Sequence, residues 1–138
     1  MSVKRYISEI IVHCTATREG KDYPLSTIRQ WHLDRGFKDI GYHYIIHLDG
    51  TIDKGRHESL IGAHCKLHNQ NSIGICYVGG LDSDGNPKDT RTDLQKESLL
   101  TLIRALKRKY PQAVVHGHRE FANKDCPCFD AYSEYHDT

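Results

Sequence analysis

The chain has 138 residues, enough for one domain with its own core and short for two. Nineteen Lys and Arg against 18 Asp and Glu leave a net charge of +1, which excludes a general electrostatic drive toward nucleic acid or an anionic membrane. No apolar run approaches the ~20 residues that span a bilayer. We therefore expect a single domain over residues 1–138.

The first half of the chain predicts two strands, a helix and a hairpin. Residues 7–14 are mostly apolar and β-branched, which indicates a buried strand. Ser26 is a suitable cap for a helix that runs to about residue 35. Residues 42–48 predict a second strand, and the Asp-Gly pair at 49–50 predicts a tight turn into a short return strand.

The second half predicts a central strand and a long helix. The apolar run at 72–79 indicates the strand. Thr92 and Gln95 have capping-box spacing at the start of a helix that continues to Lys109. A short strand follows at 114–115. Strands alternating with two helices indicate an α/β or α+β fold, in which a central mixed sheet is flanked by helices.

Ten histidines and five cysteines are the unusual part of the composition. The odd number of cysteines rules out a complete disulfide framework. The segment 1–6 leads into an apolar stretch that is too short and too charged for a signal peptide. We therefore expect a protein made in a reducing cytoplasm. If its substrate lies outside the cell, another factor must release the protein from the cytoplasm.

Nitrogen and sulfur ligands concentrate on the first strand and near the end of the chain. The candidates are His13, His116, His118, Cys126 and Cys128. Side chains alternate along a strand, so His13 can face a site while its neighbour Cys14 packs in the core. A catalytic zinc ion takes three such ligands and leaves one position open, whereas a structural zinc takes four. Spacing alone predicts His13 with one or both C-terminal histidines and one of the two cysteines.

Short motifs in a fixed order extend over residues 10–130. They read Ile11-Val12-His13-Cys14-Thr15-Ala16-Thr17, Gly41-Tyr42-His43-Tyr44-Ile45-Ile46, Asp49-Gly50-Thr51-Ile52, Gly62-Ala63-His64, Asn69-x-Asn71-Ser72-Ile73-Gly74-Ile75, His118-Arg119-Glu120 and Lys124-Asp125-Cys126-Pro127-x-Phe129-Asp130. Together they resemble the N-acetylmuramoyl-L-alanine amidases, whose relatives include the peptidoglycan recognition proteins. The sequence is most similar to the compact single-domain lysozyme-amidases of bacteriophages.

This resemblance implies a function and a set of site residues. The matching positions are His13, His118 and Cys126 for one zinc ion, Tyr42 and Lys124 for catalysis, and His64 and Asn69 for substrate binding. The implied reaction is hydrolysis of the amide between N-acetylmuramic acid and L-alanine in peptidoglycan. Zinc lowers the pKa of bound water from about 16 to about 7, Lys124 can stabilise the developing oxyanion, and Tyr42 can orient the water or relay its proton.

For other polar residues we predict supporting roles or exposure to solvent. Glu120 can orient His118 from behind. Cys128 stands where the family usually has a small residue, so it can compete for the metal or form a disulfide under oxidation. Four histidines are expected at the surface: His47, His57, His68 and His136.

The leading interpretation is a phage or prophage endolysin that reaches the cell wall after release from the cytoplasm. We expect a monomer whose partner is peptidoglycan or a muropeptide, with no nucleic-acid or membrane partner. The same residues would suit an intracellular amidase that recycles muropeptides. A non-catalytic peptidoglycan-binding module is a further alternative, as is an unrelated domain stabilised by zinc on Cys126 and Cys128.

Overall fold

A five-stranded mixed sheet forms the centre of the protein in a computed structural model that describes residues 5–138. The strands are β1 (Glu9–Cys14), β2 (Thr17–Arg18), β3 (Tyr44–Ile46), β4 (Ile52–Lys54), β5 (Ser72–Tyr77), β6 (Gly80–Leu81) and β7 (Val114–Gly117). The helices are α1 (Leu25–Asp34), α2 (Asp93–Lys109) and α3 (Ala131–Tyr135), and a 3-10 turn covers His118–Glu120.

The order of strands in the sheet is β4-β3-β5-β1-β7. Strand β1 pairs in parallel with β5 on one side and β7 on the other, while β3 and β4 form the antiparallel hairpin. A separate parallel pair joins β2 to β6. The carboxyl ends of β1, β5 and β7 therefore meet at one edge of the sheet, which is where parallel sheets place their functional groups.

Helices cover both faces of the sheet. The larger core packs Leu99, Ile103 and Leu106 of α2 against strand residues that include Val12 and Ile75. The smaller core, on the opposite face, joins α1 to β3; its buried members are Ile28, Ile40, Ile45 and Val78. This arrangement confirms the predicted mixed sheet flanked by helices.

Local signals determine most of the element boundaries. The side chain of Thr92 accepts a hydrogen bond from the backbone of Gln95, and the Gln95 side chain returns one, so the predicted capping box is present. The expectation that Ser26 caps α1 was wrong. Pro24 occupies the cap position without a side-chain bond, and Ser26 lies inside the first turn, because the fixed φ of proline already suits the start of a helix.

No helix within residues 5–138 combines the length and the apolar character required to cross a membrane.

Candidate metal centre

Two histidines meet at the carboxyl ends of β1 and β7. The parallel register pairs Val12 with Gly117, so the residues that follow, His13 and His118, lie side by side. Their ring centroids are 4.5 Å apart. His13 is almost completely buried, whereas His118 begins the 3-10 turn and is partly exposed. A parallel pairing of distant segments therefore brings together two imidazoles that are 105 positions apart in sequence, between 13 and 118.

Cys126 completes a group of three ligands. One ligand atom from each of His13, His118 and Cys126 lies within 4.8 Å of the others. The backbone N–H of Cys14 donates a hydrogen bond of 3.1 Å to the Cys126 sulfur, which holds this sulfur beside the end of β1. Zinc bonds of about 2.0–2.3 Å place tetrahedral ligand atoms roughly 3.5 Å apart. The donor set and its spacing therefore suit one zinc ion after small side-chain adjustments.

Electrostatics keep both histidines neutral. Burial lowers the pKa of His13 well below its usual value, and the neighbouring His64 and His118 lower it further. Burial also lowers the pKa of His118, with a smaller contribution from the positive charge of Lys124. A neutral imidazole has the lone pair that a metal requires.

Tyr42 lies against this group, in the segment that leads into β3. Its ring centroid is 5.2 Å from that of His13 and 5.1 Å from that of His32 in α1. The backbone N–H of Gly41 donates a 2.7 Å hydrogen bond to Nδ1 of His32, which fixes the chain just before Tyr42. Burial raises the pKa of Tyr42 well above its usual value. Its phenol therefore stays protonated at neutral pH and can donate a hydrogen bond.

Lys124 lies in the segment between the 3-10 turn and Cys126. It is exposed, and its charge is close enough to lower the pKa of both His13 and His118. An exposed ammonium on a flexible stem can approach a substrate held at the metal group. The structure thus brings five of the predicted site residues together at one edge of the sheet.

His64 and Asn69 occupy the loop between β4 and β5. Nδ1 of His64 lies 2.8 Å from Nε2 of His13. The side-chain oxygen of Asn69 accepts hydrogen bonds of 2.9 Å from the backbone amides of both His64 and Cys65. His64 is therefore next to the metal group, and Asn69 holds the loop that carries it.

Two other polar residues make contacts that the sequence did not predict. The carboxylate of Glu120 lies 2.8 Å from Nδ1 of His116 and accepts a hydrogen bond from the backbone N–H of Gly117, so its observed partner is His116 and the expectation that it orients His118 was wrong. Cys128 directs its thiol to the carbonyl of Gly80 and is not part of the three-ligand group.

One surface prediction also failed. His47 is buried, with its ring nitrogens 2.8 Å from Asp53 and 3.1 Å from Asp22. His47 directly follows the buried strand β3. The sequence alone did not reveal that carboxylates from two other segments approach its ring. His57 and His136 are exposed as expected, and His68 is half-buried.

Sequence reasoning missed the contact between His64 and His13. A signal was available in β5, where Ser72 and Gly74 alternate with Ile73 and Ile75. Small residues on one face of a buried central strand leave room for a side chain from elsewhere. That side chain is His64, whose ring packs over Gly74.

Two histidines and a cysteine that could hold a metal ion, with a phenol packed against them, form a donor set of the kind that metal-dependent hydrolases use. The sequence profile of the N-acetylmuramoyl-L-alanine amidases (Amidase_2) matches residues 3–129. The chain belongs to this family, and it is an amidase that acts on peptidoglycan.

Individual relatives agree with this assignment. The endolysin of Escherichia phage T7 is 46% identical over 121 residues, covering 88% of this chain and 80% of the relative. The endolysin of Klebsiella phage KP32 is 45% identical over 123 residues, covering 89% and 82%. Among solved structures, the N-acetylmuramoyl-L-alanine amidase LysC from Clostridium intestinale matches with a TM-score of 0.80 at 29% identity, covering 94% of this chain and 82% of LysC.

Proposed function

We propose that this chain is a zinc-dependent endolysin that cleaves the amide between N-acetylmuramic acid and L-alanine. In this proposal His13, His118 and Cys126 hold one zinc ion, and Tyr42 and Lys124 act on the substrate. The observation that carries the proposal is the convergence of the three ligand atoms within 4.8 Å. They meet at the sheet edge where the family's motifs fall.

The ligands fit the chemistry of amide hydrolysis. Bound zinc supplies an acidified water and a Lewis acid for the scissile carbonyl. On binding zinc, Cys126 as a thiolate would offset one of the two metal charges, and neutral histidine ligands would leave the remaining charge available to the substrate. The hydrogen bond from the backbone N–H of Cys14 holds the Cys126 sulfur in place.

Lys124 stabilises the oxyanion that develops on the scissile carbonyl. Its ammonium is exposed and within electrostatic reach of both histidine ligands. Removing one group of this kind typically lowers the rate ~100–1,000-fold.

Tyr42 orients the reacting groups through its hydroxyl. Because burial raises the pKa of this phenol, it donates a hydrogen bond rather than acting as a base at neutral pH. Its ring packs against both His13 and His32, which limits the orientations available to the hydroxyl.

The endolysin role places the substrate in the cell wall as polymeric peptidoglycan. Two similar phage proteins carry the name endolysin, which supports lysis over muropeptide recycling. The protein is then made in the cytoplasm and meets the wall after release.

The test is a product analysis on purified peptidoglycan by mass spectrometry. Wild-type protein should release stem peptides that begin with L-alanine, lose this activity on chelation and regain it with zinc. Cys126→Ser should abolish cleavage. Cys128→Ser is the matched control because that thiol lies outside the ligand group, and it should retain cleavage. Activity that survives complete chelation, or products cut at another bond, would refute the proposal.

A further inference from the structure

We infer that His64 is a positioning residue for the metal ligand His13, acting through a chain of hydrogen bonds that ends in β5, rather than a contact for the substrate. This inference rests on the proposed zinc site. It assigns a different role to a side chain that sequence resemblance would place in the substrate groove.

The first link joins the two imidazoles. Nε2 of His13 and Nδ1 of His64 are 2.8 Å apart, and the rings meet edge to face with centroids 4.8 Å apart. This contact occupies Nε2 of His13 and leaves Nδ1 as the ring nitrogen for a metal. His13 then carries its proton on Nε2 and donates it to His64, the arrangement by which a second residue fixes the tautomer and orientation of a metal-binding histidine.

The second link anchors His64 to the central sheet. Its Nε2 lies 3.1 Å from the hydroxyl of Ser72, a fully buried residue at the start of β5. Because Nδ1 of His64 accepts from His13, its own proton is on Nε2 and is donated to Ser72. Every hydrogen bond in the series from His13 to Ser72 therefore has one donor and one acceptor.

The sheet is shaped to receive this ring. A Cβ at Gly74 would lie 2.6–2.8 Å from Cγ, Cδ2 and Nδ1 of His64, so glycine leaves the space that the imidazole occupies against β5. Asn69 secures the same loop through the backbone amides of His64 and Cys65. Strand and loop together hold the ring against His13.

Both ring nitrogens of His64 are thus committed within the protein. Nδ1 faces His13 and Nε2 faces Ser72, so a substrate hydrogen bond to this ring would have to break one of these links. This geometry favours a role for His64 in positioning the metal ligand His13 over direct contact with the substrate.

The experiment compares zinc affinity with substrate kinetics. Zinc affinity is measured by competition with a chromogenic chelator, and kcat and KM are measured on a soluble muropeptide. His64→Leu keeps most of the volume and removes the acceptor. We expect its zinc affinity to fall 10–100-fold, the usual effect of losing such a support, with KM unchanged once zinc is saturating. His64→Asn keeps an acceptor near the position of Nδ1 and should recover most of the affinity.

Controls separate this inference from the proposed function. His57→Leu makes the same replacement at an exposed histidine whose ring, among residues 5–138, hydrogen-bonds only to Ser59, and it should bind zinc like wild type. If His64→Leu does not fold, Ser72→Ala tests the outer link and should lower zinc affinity several-fold. Unchanged zinc affinity in a folded His64→Leu protein, with or without a raised KM, would overturn the inference. Failure of wild type to bind zinc would instead overturn the proposed function.

Discussion

Replacing Gly74 by alanine should act on the metal group without touching a ligand. Gly74 lies in the middle of β5, where alanine is compatible with the backbone. The added Cβ would be 2.6 Å from Cγ and 2.7 Å from Cδ2 of His64, whereas carbon atoms normally pack at about 3.5–4.0 Å. The ring must therefore retreat by roughly 1 Å. Its nitrogen, now 2.8 Å from His13, would then be too far away for a hydrogen bond.

The expected cost combines three effects. Overpacking a tight site typically costs about 1–3 kcal/mol, and the lost hydrogen bond adds about 0.5–1.5 kcal/mol. Replacing glycine reduces the entropy of the unfolded chain and returns about 0.4–1 kcal/mol. We expect Gly74→Ala to lower the free energy of unfolding by about 2 kcal/mol and to weaken zinc binding.

A double-mutant cycle with His64→Ala tests the cause. Urea denaturation of the metal-free proteins gives the four free energies of unfolding. With the ring absent, Gly74→Ala should be neutral or slightly stabilising, so the coupling energy should be about 2 kcal/mol. Equal destabilisation in both backgrounds would show that the ring is not the cause of the cost, and the argument from close packing would be wrong.

Three further substitutions test other parts of the structure. Thr92→Ala removes the cap of α2 and should cost about 1 kcal/mol in urea denaturation; no change would mean that the cap contributes nothing. Arg91→Met removes a buried guanidinium that pairs with the carboxylates of Asp89 and the partly exposed Glu134. We expect a loss of about 2 kcal/mol by the same assay, below the 3–5 kcal/mol typical of fully buried pairs, and a neutral substitution would refute the pairing. Burial alone would lower the pKa of His47, but the carboxylates of Asp53 and Asp22 outweigh burial and raise this pKa. The associated stability is complete below the unfolded pKa of about 6.5 and is lost as pH rises through the folded pKa. The stability difference between wild type and Asp53→Asn should therefore be larger at pH 6 than at pH 8.5, and a difference independent of pH would contradict this.

The sequence predicted those parts of the molecule that depend on local signals. Interactions within a few residues determine three of the predicted features: the capping box at Thr92, the hairpin at 49–50 and the apolar strand β5. The start of α1 was misplaced because a proline and a serine two positions later are both good helix starters. Strand β3 is shorter than predicted, and Tyr42 lies just before it.

The site was only partly predictable, for a physical reason. Residue types and spacing indicated a metal group, but choosing His118 over His116 required knowing that β7 ends at Gly117 and that a 3-10 turn follows. The resemblance to a known family supplied that choice. The burial of His47 between carboxylates depends on segments distant in sequence. Contacts of this kind arise from topology, which a single sequence does not specify.

The parallel pairing of β1 with β7 also constrains the order in which the site can form during synthesis. His13 leaves the ribosome early, whereas His118 and Cys126 are added more than one hundred residues later. A nascent chain has no way to close the three-ligand group until nearly all of the sequence has emerged and β7 has docked beside β1. A chain that ends before Cys126 therefore carries at most two members of the ligand set, and the complete group arises only once Cys126 has been added.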